Sequence, residues 1–173
     1  MKNNFIELDS KQAWLRLIII FTMSVIGTAG MWSVVIIMPN IQNEFGLDRA
    51  ASTYPYVATM FGYGIGNVII GRMLDKIGIR KPIIFALILL VSSYLFSVLA
   101  TNVFWLSIIK FFLGFSAAAF FGPMMADISK FFYKRKGLAV SLVASGQHLC
   151  GAIWPFLIKD FLVDGQWKSA HLF

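Results

Sequence analysis

Long charge-free runs alternate with short polar knots along this chain. Leu17 to Asn43, Ala50 to Gly71, Pro82 to Ile109 and Gly137 to Ile158 contain no Asp, Glu, Lys or Arg. Thr101-Asn102 splits the third run with a turn, and Lys110 is the only charge between Val103 and Ala126. A helix rising 1.5 Å per residue needs about twenty apolar residues to cross about 30 Å of hydrocarbon. The pattern therefore predicts membrane spans at about 14–38, 52–71, 82–100, 103–126 and 137–158, with a sixth beginning near 166 and a short tail over 1–13. Backbone groups in lipid need partners within the same segment or a closed barrel. No alternating ten-residue pattern points to a barrel, so the expected fold class is all-α: a polytopic membrane helical bundle.

Composition closes off the soluble alternative. Charged residues make up 13% of the 173 and hydrophobic ones 58%, where soluble domains carry about 25% and about 45–50%. The apolar run of the first span exceeds the 7–15 residues of a secretory signal core and lacks a convincing cleavage site, so it reads as an uncleaved helix. The lone Cys150 lies inside the fifth span, which leaves no disulfide framework, metal cluster or cofactor motif.

Basic residues set the expected orientation. Lys2, Lys11, Arg16, Arg72, Lys76, Arg80, Lys81, Lys130, Lys134, Arg135 and Lys136 fall on the side of the N-terminus, against Arg49, Lys159 and Lys168 on the other. That bias places the N-terminus in the cytoplasm, in a multi-pass protein of a plasma or inner membrane. The net charge of +7 thus marks cytoplasmic loops facing lipid headgroups. No basic patch has the context of a nucleic-acid surface.

The knot between the second and third spans reads Gly71-Arg-Met-Leu-Asp75-Lys76-Ile-Gly78-Ile-Arg80-Lys81. It resembles G-x-x-x-D-[RK]-x-G-[RK]-[RK]-[RK], the loop signature of the major facilitator superfamily at the same topological place, with Ile79 departing from one basic position. The resemblance implies a conformational latch. Gly71 would admit a neighbouring helix, and Asp75 would face a helix N-terminus of the opposite half, a contact worth ~0.3–2 kcal/mol. Lys76, Arg80 and Lys81 would tie the turn to carboxylates, with Gly78 at a bend. Arg80 and Lys81 read equally well as plain topology determinants.

A second stretch, Phe131 to Gly146, resembles the entry to helix five in monocarboxylate transporters and the oxalate–formate antiporter group, through Phe132, Lys134, Arg135, Lys136, Leu138, Ala139, Leu142, Ala144, Ser145 and Gly146. Val143 departs from it. The drug-antiporter pattern of that helix is absent, because Gly151 and Pro155 follow Gly146 at the wrong spacing. Asp164 to Ala170 resembles the opening of the sixth helix, with Gln166 inserted and Lys168 for Arg. The resemblance therefore covers most of the first of two six-helix halves. It implies a missing C-terminal six-helix partner, whether the sequence is a fragment or a truncated gene product.

Polar side chains inside the spans are the candidate chemistry. Lys110 is the costliest, since a central charge is penalised by ~2.5–3.5 kcal/mol on insertion scales. It reads either as a lysine snorkelling to the interface or, through Lys110-x-x-x-Gly114, as resembling the cavity-facing R-x-x-x-G motif of helix four. His148, at the middle of the fifth span, reads either as bonded to a neighbouring helix or as facing a cavity. Gln147 points about 100° away from it. Tyr56, Thr59, Tyr63 and Asn67 share a face of the second span, and Ser24, Thr28 and Trp32 one of the first; such stripes glue helices or line a site. Gly62-x-x-x-Gly66 reads as a packing face, and Asp127 as paired with Lys130.

No Asp or Glu lies within the span interiors, and there is no nucleophile with a base, so an enzyme is not expected. The resemblance implies a secondary transporter of small organic anions, monocarboxylate-like, working by alternating access. Lys110 would attract the carboxylate, with Tyr63, Thr28, His148 and Asn67 as binding partners and protons as a possible coupling ion. The alternatives are a transporter of another substrate class, or a truncated, non-transporting membrane protein that only associates with partners.

Overall fold

The computed structural model describes residues 8–163. Five helical segments among them are long and apolar enough to cross a membrane, as the hydrophobic pattern predicts. The expected sixth helix near 166 lies outside the described residues.

Span one is two helices, α1 (Lys11–Gly27) and α2 (Ala29–Glu44), and so runs past Met38. The Ser10 hydroxyl accepts from the Ala13 amide and caps α1. The break falls at Thr28, whose hydroxyl donates to the Ser24 carbonyl at 2.7 Å, a local bond that bends helices. Span two starts with a 3-10 turn at Ala51–Thr53 and continues as α3 (Tyr54–Ile77). Span three is α4 (Arg80–Val98).

Span four is interrupted as well. Asn102 caps α5 (Val103–Ala117), accepting from the Trp105 amide at 2.9 Å. A 3-10 stretch at Ala118–Phe120 then leads into α6 (Gly122–Ile128). Pro123 lacks the amide for a continuous ladder, and its ring would crowd the carbonyl four residues back. Span five is α7 (Lys136–Val163).

The burial pattern is inside-out relative to a water-soluble bundle. Ile18, Ile26, Phe61, Ile88 and Phe104 are each more than 60% exposed, while Ser24, Thr28, Ser33, Thr59, Ser97 and Ser116 are buried. Most of these buried hydroxyls bond helix carbonyls of their own span, as in Thr59 to Pro55 and Ser97 to Ser93. In water such an apolar surface would be an aggregation hazard. Against hydrocarbon it is matched to its solvent.

Spans two and four approach most closely. A Cβ on Gly62 would strike the Phe111 carbonyl, one on Gly114 the Thr59 carbonyl, and one on Gly66 the Phe115 carbonyl. Small residues let membrane helices reach backbone contact, where dispersion and Cα–H···O contacts replace the missing hydrophobic drive. Gly62-x-x-x-Gly66 is that packing face. The irregular points of spans one and four also meet, because the Phe120 ring fills the space where a Gly27 side chain would be.

Candidate functional site

Lys110 is completely buried within the bundle. Its ammonium lies 5.9 Å from the centroid of the Tyr94 ring of span three, at the outer range of a cation–π contact. A lysine snorkelling to the lipid interface would keep its head exposed. This one is enclosed by protein, with the Tyr94 ring of span three as a neighbour.

Tyr63 and Gln147 form a polar group that joins spans two and five. The Tyr63 hydroxyl donates to Gln147 Oε1 at 3.4 Å, and Gln147 Nε2 donates to Met31 Sδ at 3.9 Å. From span one, Trp32 Nε1 donates to the Gln147 backbone carbonyl at 2.9 Å. Gly151 makes that possible: a Cβ there would come within 2.8 Å of the Trp32 ring. Phe121, at the irregular point of span four, lies 6.3 Å from Tyr63 centroid to centroid. Four spans thus converge on one half-buried wall.

The other expected site residues fall at varied distances from that wall. Asn67 belongs to it, donating to the Tyr63 carbonyl at 2.8 Å, and Gly122 leaves room for its Oδ1. Thr28 is buried and occupied by the Ser24 carbonyl. Ser24 in turn donates to the Val143 carbonyl at 3.2 Å, so this part of the span-one stripe glues spans one and five. His148 is exposed, with Nδ1 3.3 Å from the Ala144 carbonyl of its own helix. Among the described residues, the hydrogen bond of His148 is to its own helix and not to the Tyr63 wall.

Sequence reasoning missed Gln147 because Ala144 and Gly151 flank both 147 and 148 at three- and four-residue steps. Small-residue spacing cannot separate two adjacent positions. The only usable signal was helical phase: position 147 lies next to the arc of Ala139, Val143, Gly146 and Cys150, all buried.

The Gly71–Lys81 motif is mostly helix rather than turn. Gly71, Asp75 and Lys76 ride the last turns of α3, and the bend itself is at Gly78, with φ +75°. That left-handed conformation suits glycine. Gly71 therefore sits at no bend, and an added Cβ would meet nothing within 4 Å among the described residues. Asp75, Lys76, Arg80 and Lys81 are exposed.

At the same end of the bundle, Asp127 pairs with Arg16 rather than with Lys130. Arg16 Nε and Nη2 both donate to Asp127 Oδ2, at 3.1 and 2.6 Å. The Arg16 guanidinium also lies 4.3 Å from the Phe131 ring centroid. The Asp9 carboxylate accepts from the Tyr133 and Lys134 amides at 3.2 and 3.0 Å. Those bonds hold its pKa below the usual aspartate range, the Lys134 amide contributing most.

Among the described residues no group of three or more His, Cys, Asp and Glu could hold a metal ion. Surface crevices beside span four are lined largely by apolar side chains such as Phe104, Trp105 and Phe112. They offer a polar cargo little.

A multi-pass helical bundle with a buried lysine and a polar wall shared by four spans has the build of a membrane transporter. Residues 20–173 match the Major Facilitator Superfamily, and the chain belongs to that family. It is similar to the "Ascochitine biosynthesis cluster MFS transporter" of Didymella fabae, 32% identical over 126 residues, covering 71% of this chain and 24% of that protein. It is also similar to the "Agnestins efflux protein AgnL12" of Paecilomyces divaricatus, 28% identical over 123 residues, covering 68% of this chain and 28% of that protein. The "MFS-type transporter pynF" of Aspergillus niger is 28% identical over 99 residues, 57% of this chain and 23% of that protein. The chain thus spans about a quarter of the length of these relatives. Family and relatives alike are transporters, not enzymes.

Proposed function

We propose that this chain forms the N-terminal bundle of a secondary active transporter for small organic anions of the monocarboxylate type. The observation that carries the reading is Lys110, a lysine wholly inside a membrane-spanning bundle. A charge kept at that cost in a membrane interior is retained for a partner or a pathway. In a low-dielectric surrounding a buried charge acts over several ångströms without contact, which supports a cargo that carries a carboxylate. The Thr28 hydroxyl is taken up by the Ser24 carbonyl and His148 is exposed, so their part in binding is the weaker one.

Alternating access would come from rocking this bundle against a second six-helix half, with the Asp75 end of α3 as a latch between them. Protons or a second anion would couple the cycle. The N-terminus would face the cytoplasm of a plasma or inner membrane. Uptake of labelled lactate, formate and oxalate by the intact transporter tests this, normalised to protein in the membrane. Lys110→Gln should abolish uptake and Lys110→Arg should keep part of it. Wild-type uptake in the Gln variant would remove Lys110 from the site.

A second reading, export of a different small molecule, is favoured by the relative named as an efflux protein. It predicts that none of the three anions accumulates.

A further inference from the structure

Gln147 combines a fixed backbone with a loosely committed side chain. Trp32 holds its carbonyl at 2.9 Å, and one residue earlier Gly146 would bring a Cβ within 3.3 Å of Ser24 and the Phe21 carbonyl. That section of α7 is therefore seated closely on span one. Among the described residues the amide beyond it makes only long bonds, 3.4 Å from the Tyr63 hydroxyl and 3.9 Å to the soft sulfur of Met31. Hydrogen bonds between first-row atoms favour about 2.7–3.0 Å, and a thioether is a weak acceptor. Both contacts are easily exchanged for a better one. An amide carries two donor hydrogens, and a phenol can turn its own. A rigid support behind exchangeable donors is what a preorganised binding group needs.

We propose that Gln147 is a ligand-contacting, specificity-determining residue of the transport site. Its amide and the Tyr63 hydroxyl donate together to an oxygen acceptor on the cargo, a carboxylate or a carbonyl, with Trp32 and Phe121 as flanking aromatic surfaces. This inference rests on the transporter reading and adds the residue that reads the cargo. His148, with Nδ1 turned to a carbonyl of its own helix, has the weaker claim to that role.

The test uses the intact transporter and the same labelled lactate, formate and oxalate. Tyr63→Phe and Gln147→Leu should each raise the half-saturating concentration about tenfold, as expected when a bound polar group loses its partner. Maximal rate and membrane abundance should stay within about twofold of wild type, and the double variant should be much less than additive. Gln147→Glu separates binding from structure. It keeps an acceptor for the Tyr63 hydroxyl but sets a negative charge against the anion, so uptake should fall below that of Gln147→Leu. Wild-type half-saturation in Gln147→Glu would overturn the proposal.

A second arm needs no known cargo. In a Cys150→Ser background, Gln147→Cys should react with a charged, membrane-impermeant thiol reagent and Leu149→Cys should not. Absence of reaction at position 147 would overturn the site. Reaction there, in a protein that moves none of the anions, would sink the anion reading and leave this site standing.

Discussion

Arg16 crosses from span one to Asp127 at the end of span four, its Nη2 2.6 Å from Oδ2 and its Nε 3.1 Å from the same oxygen. The carboxylate side chain is 9% exposed and the guanidinium 34%. A pair so placed lies between a surface bridge of little value and a buried bridge that is costly to break. It joins the first and fourth spans at the end that carries most of the basic residues. Asp127→Asn or Arg16→Ala should each lower the thermal stability of the detergent-solubilised protein by about 1–2 kcal/mol. The exchange Arg16→Asp with Asp127→Arg should recover part of that loss. Thermal unfolding of each variant, followed by size-exclusion, reads the result.

The contact of spans two and four gives a sharper contrast between glycines. Gly62→Ala drives a methyl into the Phe111 carbonyl, whereas Gly64→Ala on the same helix meets nothing within 4 Å. Separating the two backbones should cost about 1–3 kcal/mol, the usual range for overpacking. Gly62→Ala and Gly114→Ala should therefore reduce membrane yield and melting temperature, and Gly64→Ala should leave both unchanged.

Asp9 predicts an acid-sensitive tie between the N-terminal segment and the loop before α7. Its folded pKa is lowered by amide bonds from Lys134 and Tyr133. A depressed carboxylate pKa contributes stability that is full above the unfolded value and lost as pH falls through the folded one. The tie should persist at neutral and mildly acidic pH and fail only below the ordinary aspartate range. Amide exchange at Tyr133 and Lys134, corrected for intrinsic rates, should show that loss. Asp9→Ala should show faster exchange at neutral pH.

Asp75 ends α3 with its side chain exposed. If it latches onto a helix N-terminus of a second half, Asp75→Asn in the intact transporter should shift the resting population toward inward-open. The charge–dipole contact is worth ~0.3–2 kcal/mol, which is a shift of about two- to thirtyfold. Cysteine accessibility from each side of the membrane measures it. Equal accessibility in variant and parent would remove the latch.

Length and hydropathy were enough to determine the class of fold. A segment without charge for twenty residues has few choices in lipid, because its backbone must satisfy itself, and a helix does so within the segment. That is why the five spans, the packing role of Gly62 and Gly66 and the membership signalled by Gly71-x-x-x-Asp75 were legible along the chain. The interruptions were not. Thr28 breaks span one through one hydroxyl bonded to its own helix, and span four reorganises around Phe121 and Pro123. Neither interrupts the apolar run that marks a span.

Partners across helices belong to the tertiary structure alone. Asp127 had a basic residue three positions away in Lys130, the spacing at which helical side chains meet. The bundle instead brought it Arg16 from 111 positions earlier. Gln147 and His148 share the same small flanking residues, and one-dimensional spacing cannot choose between neighbours 100° apart on a helix. The choice was made by how α7 rotates when Gly146 seats on span one and Gly151 accepts the Trp32 ring. That rotation turns Gln147 toward Tyr63 and leaves His148 outside, because backbone contact at a glycine fixes the azimuth of the whole helix.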